Sequence, residues 1–221
     1  MIDRVDVFVY LDDVQFIKRE WKNRNRIRKT ATGYDTKWLT VPIVKRCQHG
    51  LIKDALISQK VDWVSRHVES LKTVYRHSPY FDKYFPNIEK IIRGYSCGRL
   101  STLNIALINY VCGVLTIKTE FVESSRLRVG GRREEKLLNI CKKIGADHYL
   151  ANNATSSYVP DKYFEGANIG FEVQNYRHPQ YTQVYKGHKL PFISNLSIVD
   201  LLFNCGREGI NIIRKGNPRK I

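Results

Sequence analysis

A strand–helix–strand pattern in the second half of the chain constrains the fold more than any other feature. Ile117–Val122 predicts a strand, and Arg132–Ile144 has the apolar spacing of an amphipathic helix. Gly145 stands where a left-handed C-terminal cap belongs, and His148–Ala151 predicts a second short strand. Strands joined through a helix by short links form a right-handed crossover and a parallel pair. The pattern therefore predicts an α/β fold.

Other segments extend this prediction to a mostly parallel sheet with flanking helices. Val5–Leu11 is a nearly continuous apolar run, which is typical of a strand covered on both faces. Trp38–Val44 and Ile169–Asn175 predict further strands, and Pro42 places the first of these at a sheet edge or a strand end. A helical insert at about residues 61–115 is expected within a single domain spanning residues 1–221. The predicted helices, two of them with a proposed N-cap residue, are Val61–His77 (capped by Asp62), Tyr80–Arg93, Ser101–Leu115 (capped by Ser101) and Ser197–Asn204.

The charge of the chain is strongly basic, with 37 Lys and Arg residues against 21 Asp and Glu and a formal net charge of +16. Such an excess favours polyanionic partners, namely nucleic acid, phosphorylated sugars or an anionic membrane surface. A solvated basic surface is the alternative interpretation. The charge alone does not separate these possibilities.

The cysteines and the apolar runs indicate a cytoplasmic protein. The five cysteines are widely spaced without a Cys-x-x-Cys motif, so neither a zinc site nor a disulfide framework is predicted. No apolar run approaches the roughly 18 residues of a membrane span. The residues before Val5 show no signal-peptide pattern, because the apolar segment that follows contains Asp6 and ends in two acids.

Polar side chains stand at the ends of four of the five predicted strands, all except Trp38–Val44, and define a candidate ligand-binding rim. In an open parallel sheet, ligands bind beyond the carboxyl ends of the strands, so these side chains are expected to converge if all four strands are parallel. In chain order, the residues at or just after these strand ends are Asp12, Asp13 and Gln15, then Glu123, Ser124 and Ser125, then Asn152 and Asn153, and finally Gln174, Asn175, Arg177 and His178.

Two parts of this rim are candidates for acid–base chemistry. Asp12 is a candidate general base or ligand residue, but alternation along an extended strand would turn Asp12 and Asp13 to opposite faces and away from a shared metal. His178 begins the motif H-P-x-Y-x-Q, and its alternatives are an acid or base role and a structural bond to the backbone. Asp200, three residues after Ser197, is interpreted as a helix-start acid in a capping box rather than a nucleophile.

The basic segment Lys18–Lys29 is a candidate anion-binding site, with seven basic residues in twelve. If it is extended, its arginines lie on one side and its asparagines on the other. A row of guanidinium groups suits bidentate recognition of phosphate, while a solvated loop is the alternative. Trp21 and Ile27 are expected to be partly buried and to fix the segment. The residues on the two sides are Arg24, Arg26 and Arg28, and Asn23 and Asn25.

A second arginine cluster precedes the helix of the crossover. Gly130 and Gly131 separate its two halves, and the turn resembles a phosphate-binding turn at a helix N-terminus without the full dinucleotide or P-loop spacing. The arginines are Arg126, Arg128, Arg132 and Arg133.

Five strings of this sequence occur in one order in a known protein family. They are VDVFVYLDDVQFIKREWKNRNRI, KWLTVPI, LLNICKKIGADHYLANNATSSYV, YRHPQYTQ and LPFISNLSIVDLLFNCG. They extend from about residue 5 to residue 206, and on them the chain resembles the WbqC-like family. Members of that family usually carry a further strand–turn–helix segment ahead of the position of Met1. A shortened chain, a misplaced start and a natural variant are the alternative explanations, and if that segment supplies the first strand and part of the pocket, the site is expected to be incomplete. The family usually has a glycine-rich turn at the position of Ala151–Ala154, where this sequence has no glycine. That difference is expected to restrict how closely the backbone approaches a ligand.

The resemblance implies a role in bacterial surface-polysaccharide (O-antigen-type) biosynthesis. The expected activity is transfer of an acyl or aminoacyl group onto a nucleotide-linked amino sugar, with the cofactor undetermined. The alternatives are an RNA-binding protein, one form of which depends on aminoacyl-tRNA, and a non-catalytic scaffold of a glycan pathway. The roles expected of the site residues are phosphate binding for Arg24 and Arg26, acceptance of the amine proton for Asp12 or His178, and substrate binding for Asp13, Gln15, Asn23, Ser124, Ser125, Asn152, Tyr181 and Gln183.

Overall fold

Residues 1–18, 20–152 and 162–217 are described by a computed structural model of the chain. Contacts within the chain divide it into two units. Unit 1 comprises Met1–Asp13, Ile117–Arg177 and Gly216–Ile221, and unit 2 comprises Val14–Thr116 and His178–Lys215. The predicted helical insert lies within unit 2, whereas the predicted crossover lies within unit 1.

The secondary structure of the described residues mixes short strands with helices of four to fifteen residues. The helices are α1 (Trp63–Tyr75), α2 (Phe81–Gly94), α3 (Leu100–Val114), α4 (Ser124–Leu127), α5 (Glu134–Ile144), α6 (Lys162–Glu165), α7 (Ile198–Cys205) and α8 (Gly209–Lys215). The strands are β1 (Val7–Tyr10), β2 (Arg24–Arg28), β3 (Thr36–Thr40), β4 (Glu120–Glu123), β5 (His148–Asn152), β6 (Gly170–Gln174), β7 (Gln183–Tyr185) and β8 (His188–Leu190).

Unit 1 contains two parallel strand pairs. Strand β1 pairs with β4, and β5 pairs with β6. The predicted crossover elements therefore exist, but the expected pairing of β4 with β5 is wrong in the described part of the chain. Strand β4 instead pairs with β1, which is distant in sequence, and β5 pairs with β6, the next strand along the chain. The apolar pattern predicts a strand but not its partner, since that choice depends on packing across the whole unit.

Unit 2 contains two antiparallel pairs. The hairpin β2–β3 pairs Arg26 with Trp38, and β7 pairs with β8 through a two-residue turn at Lys186 and Gly187. Both turn residues have positive φ, 49° and 79°, as the tight turn of a right-twisted hairpin requires. With two parallel and two antiparallel pairs, a mixed α/β architecture is confirmed and a mostly parallel sheet is not.

The helices of unit 2 pack around an aromatic core. Phe203 of α7 is fully buried and its ring lies 5.1–6.4 Å from those of Tyr75, Phe81 and Phe85. The predicted cap of α1 is confirmed, because Asp62 accepts a hydrogen bond from the Ser65 N–H at 3.0 Å.

The predicted cap of α3 is wrong. Helix α3 begins at Leu100, so Ser101 lies inside the helix and is buried. Arg99 occupies the N-cap position and makes no side-chain capping bond. The backbone N–H of Leu100 donates instead to the Ala55 carbonyl at 2.8 Å. A tertiary contact therefore satisfies part of this helix terminus.

The C-terminal cap of α5 is confirmed and supports a test. Gly145 has φ 70°, and no heavy atom lies within 4 Å of the position that its Cβ would take. Gly145→Ala is therefore expected to lower the free energy of unfolding by about 1 kcal/mol through backbone strain alone. Gly113→Ala, inside α3 and equally open, is the matched control and is expected to stabilise by about 0.5 kcal/mol. Urea denaturation of both variants measures the difference, and a shift of the same sign for both contradicts it.

None of the described helices is both long and apolar enough to cross a membrane.

Candidate functional site

The candidate site residues are divided between the two units. In unit 1, the paired strands β1 and β4 end side by side, because Tyr10 is in register with Glu123. Asp12 and Asp13 follow the first strand, and Ser124 and Ser125 follow the second. Helix α5 adds Lys136. These five side chains are called the carboxylate cluster below.

The carboxylate cluster is closely hydrogen-bonded around Ser124, which is fully buried. Its hydroxyl donates to Asp13 Oδ1 at 2.5 Å and lies 3.1 Å from Asp12 Oδ1. Asp12 is 5% exposed and also accepts from the Ser125 N–H at 2.9 Å and from the Ser125 hydroxyl at 2.7 Å. The two aspartates therefore share one serine, and the expectation that they face opposite ways is wrong.

The reason is that β1 ends at Tyr10, before the two acids. The Asp12 N–H donates to the Tyr10 carbonyl at 2.9 Å, so the backbone turns where the sequence pattern assumed an extended strand. Side chains alternate between faces only while the strand continues. The turn brings both carboxylates to one side.

Lys136 supplies the positive charge of this cluster. Its Nζ lies 2.8 Å from Asp13 Oδ2 and donates to the Val129 carbonyl at 3.3 Å. Burial acts to raise the pKa of Asp13, but the hydrogen bonds from Lys136 and Ser124 and the charge of Lys136 outweigh it and leave that pKa lowered. Asp13 is therefore held ionised.

The described residues contain no group of three or more His, Cys, Asp and Glu side chains that could hold a metal ion. The cation next to Asp13 is the lysine ammonium group. The hydrogen bonds of the carboxylate cluster provide a path for proton transfer, and Ser125, which is partly exposed, is its hydroxyl nearest to solvent.

The other predicted strand ends in unit 1 belong to the pair β5–β6. Asn152 is exposed at the end of β5 and is in register with Gln174. Gln174 is buried and donates to Asn217 Oδ1 at 2.7 Å. Asn153 and Ala154, and with them most of the changed glycine-rich turn, lie outside the described residues.

Some groups of the second arginine cluster already have partners within the protein, and its anion-binding role stays a prediction. Glu135 accepts a hydrogen bond from the Arg132 N–H at 3.3 Å, so a carboxylate of the protein already occupies the start of α5. Arg126 lies 2.6 Å from Glu123. Arg126, one of the four arginines predicted to bind phosphate, therefore already has a carboxylate partner.

In unit 2, the predicted basic segment forms strand β2, and its arginines do share one side of the strand. Arg28 is nevertheless 1% exposed and points into the protein, because this face becomes buried toward the end of the strand. Arg24 and Arg26 remain partly exposed next to Trp21 and Trp38. These four residues are called the Trp–Arg surface below. Arg19 lies outside the described residues.

The Trp–Arg surface is built from stacked rings and guanidinium groups. The Arg24 Cζ lies 4.0 Å from the centroid of the Trp38 ring, and the Arg26 Cζ lies 6.0 Å from that of Trp21. The two indole rings are 4.9 Å apart. Trp21 is 60% exposed, so the expectation that it is partly buried and fixes the segment is wrong, whereas Ile27 is fully buried.

His178 is joined to Arg26 through one residue of backbone. The Asn195 carbonyl accepts from Arg26 at 3.1 Å, while the Asn195 N–H donates to His178 Nε2 at 3.3 Å. The other ring nitrogen lies 3.0 Å from the Pro179 carbonyl. Both nitrogens of His178 thus contact backbone groups, which favours the structural alternative over acid–base chemistry.

Two further predicted ligand residues make backbone contacts. The Asn23 carbonyl accepts from the Val41 N–H at 2.8 Å, which continues the β2–β3 pairing by one residue, and the Asn23 side-chain amide donates to the Val41 carbonyl at 3.0 Å. Gln15 forms an isolated backbone bridge with Leu51 and is exposed. Their roles in ligand binding remain predictions.

Tyr181 and Gln183 belong to a buried network around Asp200, a residue that the sequence pattern assigned to helix capping. Asp200 is fully buried and accepts from Tyr75 Oη at 2.9 Å, Tyr181 Oη at 2.7 Å and Gln183 Nε2 at 2.8 Å. Gln183 accepts from Arg28 through its other amide atom. Burial raises the pKa of Asp200, opposed by these hydrogen bonds.

The capping-box interpretation of Asp200 is therefore wrong, since its side chain points into the core and Ser197 makes no side-chain capping bond. Gln183 is 1% exposed and its amide is engaged on both sides, by Arg28 and the Ile193 N–H on the oxygen and by Asp200 and the Ile193 carbonyl on the nitrogen. The sequence contained a signal for this burial, because Asp200 stands within a helix whose other residues, except Asn204, are apolar. Its partners were not visible there.

Comparison with known proteins gives one family and one relative. The model of the WbqC-like protein family matches residues 1–212. The chain is 34% identical over 218 residues to the uncharacterized protein Rv1507c of Mycobacterium tuberculosis strain H37Rv, a match that covers 97% of this chain and 90% of the relative. No solved structure matches the chain.

Proposed function

Because this chain belongs to the WbqC-like protein family, we propose that it acts in surface-polysaccharide biosynthesis and binds a nucleotide-linked sugar through Arg24 and Arg26. The proposed reaction is transfer of an acyl or aminoacyl group from an activated ester or thioester to the amine of that sugar, so that an amide bond forms, the amine gives up a proton and the alcohol or thiol of the donor leaves. The family name supports the pathway, and the Trp–Arg surface supports the choice of ligand.

The main support for the proposed ligand comes from the contacts of the Arg24 guanidinium group. This group stacks on Trp38 and forms no hydrogen bond or ion pair with any residue that the structure describes. Stacking on an indole ring holds the planar group in place and leaves its outer N–H donors available for a bidentate phosphate contact. Arg26, two residues along the same face of β2, has one bond to the Asn195 carbonyl. Two ordered guanidinium groups on one strand suit a diphosphate.

Of the two residues expected to accept a proton, Asp12 of the carboxylate cluster in unit 1 has the contacts of a proton acceptor, whereas His178 does not. Asp12 accepts the Ser125 hydroxyl at 2.7 Å, so a proton that reaches this hydroxyl has a carboxylate acceptor in line. Lys136 compensates the charge of the neighbouring Asp13, which reduces the repulsion between the carboxylates of Asp12 and Asp13. His178 has both ring nitrogens in contact with backbone atoms, which suits a residue that holds the segment around Asn195 in place.

Calorimetry with a UDP-linked amino sugar tests the ligand assignment. Arg24→Ala and Arg26→Ala are each expected to weaken binding about tenfold, the effect of one charge-assisted hydrogen bond. Arg76→Ala removes the same charge from an exposed position at the end of α1 in the same unit and is expected to leave the affinity unchanged. Equal affinities for all three variants and the wild type would remove the assignment.

The net charge of +16 favours RNA as a second candidate ligand, in the form of a charged tRNA that serves as aminoacyl donor. Binding of this kind falls steeply as salt rises, because neutralised phosphates release counterions. Calorimetric titrations with each ligand at low and high salt separate the two candidates. Two guanidinium contacts to a diphosphate predict a much shallower salt dependence for the nucleotide-linked sugar than RNA binding would show.

A further inference from the structure

We infer that Trp21 is the stacking position for the base of a single nucleotide, whose phosphates are bound by Arg24 and Arg26. This inference rests on the proposed function and names the part of the ligand that the Trp–Arg surface recognises. It assigns a role to an indole ring that the fold does not need for its core.

Trp21 is exposed yet held in place. Its ring is 60% exposed and leans on Trp38 at a centroid distance of 4.9 Å and an angle of 58°. The backbone on its C-terminal side is anchored, because the Lys22 carbonyl accepts from Asn104 of α3 at 2.8 Å. An ordered aromatic ring that leaves more than half of its surface in water is a ready stacking surface, since little conformational entropy is lost when a ligand covers it.

The two indole rings differ in how closely a guanidinium group covers them. The Arg24 guanidinium, 4.0 Å from the ring centroid, covers a face of Trp38, whereas the nearest guanidinium to Trp21 is that of Arg26 at 6.0 Å. Proteins that bind single-stranded nucleic acid stack successive bases on a series of aromatic rings. Trp21 is 60% exposed against 40% for Trp38 and is the less closely covered ring, so we assign the base to Trp21 and a single nucleotide to this surface.

The charges around Trp21 point to phosphate groups close to the stacked ring. Arg24 and Arg26 flank the indole pair, while Lys22 is paired with Glu20 and offers less. In a nucleotide, one ribose separates the base from its phosphates, so stacking and charge recognition must lie side by side. The Trp–Arg surface has this arrangement, and a sugar phosphate without a base would leave the Trp21 ring unused.

Tryptophan fluorescence and calorimetry with UDP test the inference. The chain has three tryptophans, and Trp63 is 3% exposed, so quenching by UDP reports on Trp21 and Trp38. Trp21→Ala is expected to weaken UDP binding roughly fivefold to a hundredfold, the effect of losing one base–aromatic stack. Trp21→Phe is expected to retain most of the affinity while losing much of the quenching. Pyrophosphate binding is expected to be the same in both variants and the wild type.

Tyr34→Ala is the matched control. Tyr34 is 73% exposed in the turn of the same β2–β3 hairpin, several residues from the arginines, and its loss is expected to leave UDP affinity unchanged. If Trp21→Ala leaves the affinity for UDP unchanged while Arg24→Ala lowers it, the base-stacking role is overturned and the phosphate site stands. If neither UDP nor pyrophosphate binds, both proposals fail. Affinity that rises with oligoribonucleotide length and falls in Tyr34→Ala would identify an RNA strand and overturn the single-nucleotide inference.

Discussion

Asp200→Ala is expected to lower the free energy of unfolding by about 3–5 kcal/mol, the range for breaking a buried polar or ionic cluster by removing one partner. Asp200 is fully buried and accepts hydrogen bonds from Tyr75, Tyr181 and Gln183. Alanine leaves these donors without an acceptor in a place that water cannot reach. It also removes the negative charge that Gln183 links to the buried Arg28. Urea denaturation, followed by near-ultraviolet circular dichroism, measures the loss.

Asp82→Ala is the matched control for Asp200. Asp82 also lies in the first turn of a helix, α2, but is exposed. If Asp200 acted only as a helix-start acid, both variants would lose about 0.5 kcal/mol through the helix dipole. Similar losses for the two variants would therefore contradict the network, whereas a loss several times larger for Asp200→Ala supports it.

The pKa of Asp200 adds a pH dependence of known sign. Burial raises this pKa above its ordinary value of 3.8, so the folded protein holds its proton to higher pH than the unfolded chain does. The contribution of Asp200 to stability is complete below pH 3.8 and is lost as pH rises through the folded-state pKa. Asp200→Asn lacks the titrating group. The free energy of unfolding of the wild type, relative to that of this variant, is therefore expected to fall as pH rises from 3.8 through the folded-state pKa. A difference that is constant with pH would contradict the raised pKa.

Lys136→Met is the second large effect and is expected to lower the free energy of unfolding by about 2–3 kcal/mol. Its ammonium group is the cation of the carboxylate cluster, and methionine leaves Asp12 and Asp13 facing the same serine without compensation. The loss stays below the range for a fully buried pair because the side chains of Lys136 and Asp13 keep 11% and 15% of their surface exposed. Denaturation at neutral pH measures it.

Two further variants define the origin of this loss. Lys142→Met removes an exposed lysine from the last turn of the same helix and is expected to cost about 0.5 kcal/mol or less. The double variant Asp13→Asn with Lys136→Met removes both charges, and we expect it to be more stable than Lys136→Met alone. A double variant that is less stable than either single variant would show that packing, and not charge, sets the effect.

Acid should reduce the effect of Lys136→Met. The pKa of Asp13 is lowered in the folded protein, so its contribution to stability is present above pH 3.8 and is lost as pH falls through the folded-state value. Once Asp13 is protonated, Lys136 has no charge to balance there. The stabilities of wild type and Lys136→Met are therefore expected to converge at the acid end of the titration.

The sequence alone determined the elements whose signals are local. The cap of α1 at Asp62, the left-handed C-terminus of α5 at Gly145 and the extended segment that carries Arg24 and Arg26 are all confirmed. Caps, periodicity and glycine depend on residues within one or two helical turns, so their physical causes are visible in the order of residues. The hairpin β7–β8 was missed, although the pair Lys186 and Gly187 was its available signal.

Only the tertiary structure decided which residues meet. It turned Asp12 and Asp13 toward one serine where alternation predicted opposite faces, and it buried Arg28 while leaving Arg24 and Arg26 partly exposed on the same face. It also moved Asp200 from a helix cap to the centre of a buried network. Each outcome depends on strand ends, burial and partners that are far away in sequence. A buried charge is stable only where such partners compensate it, and no local pattern records their positions.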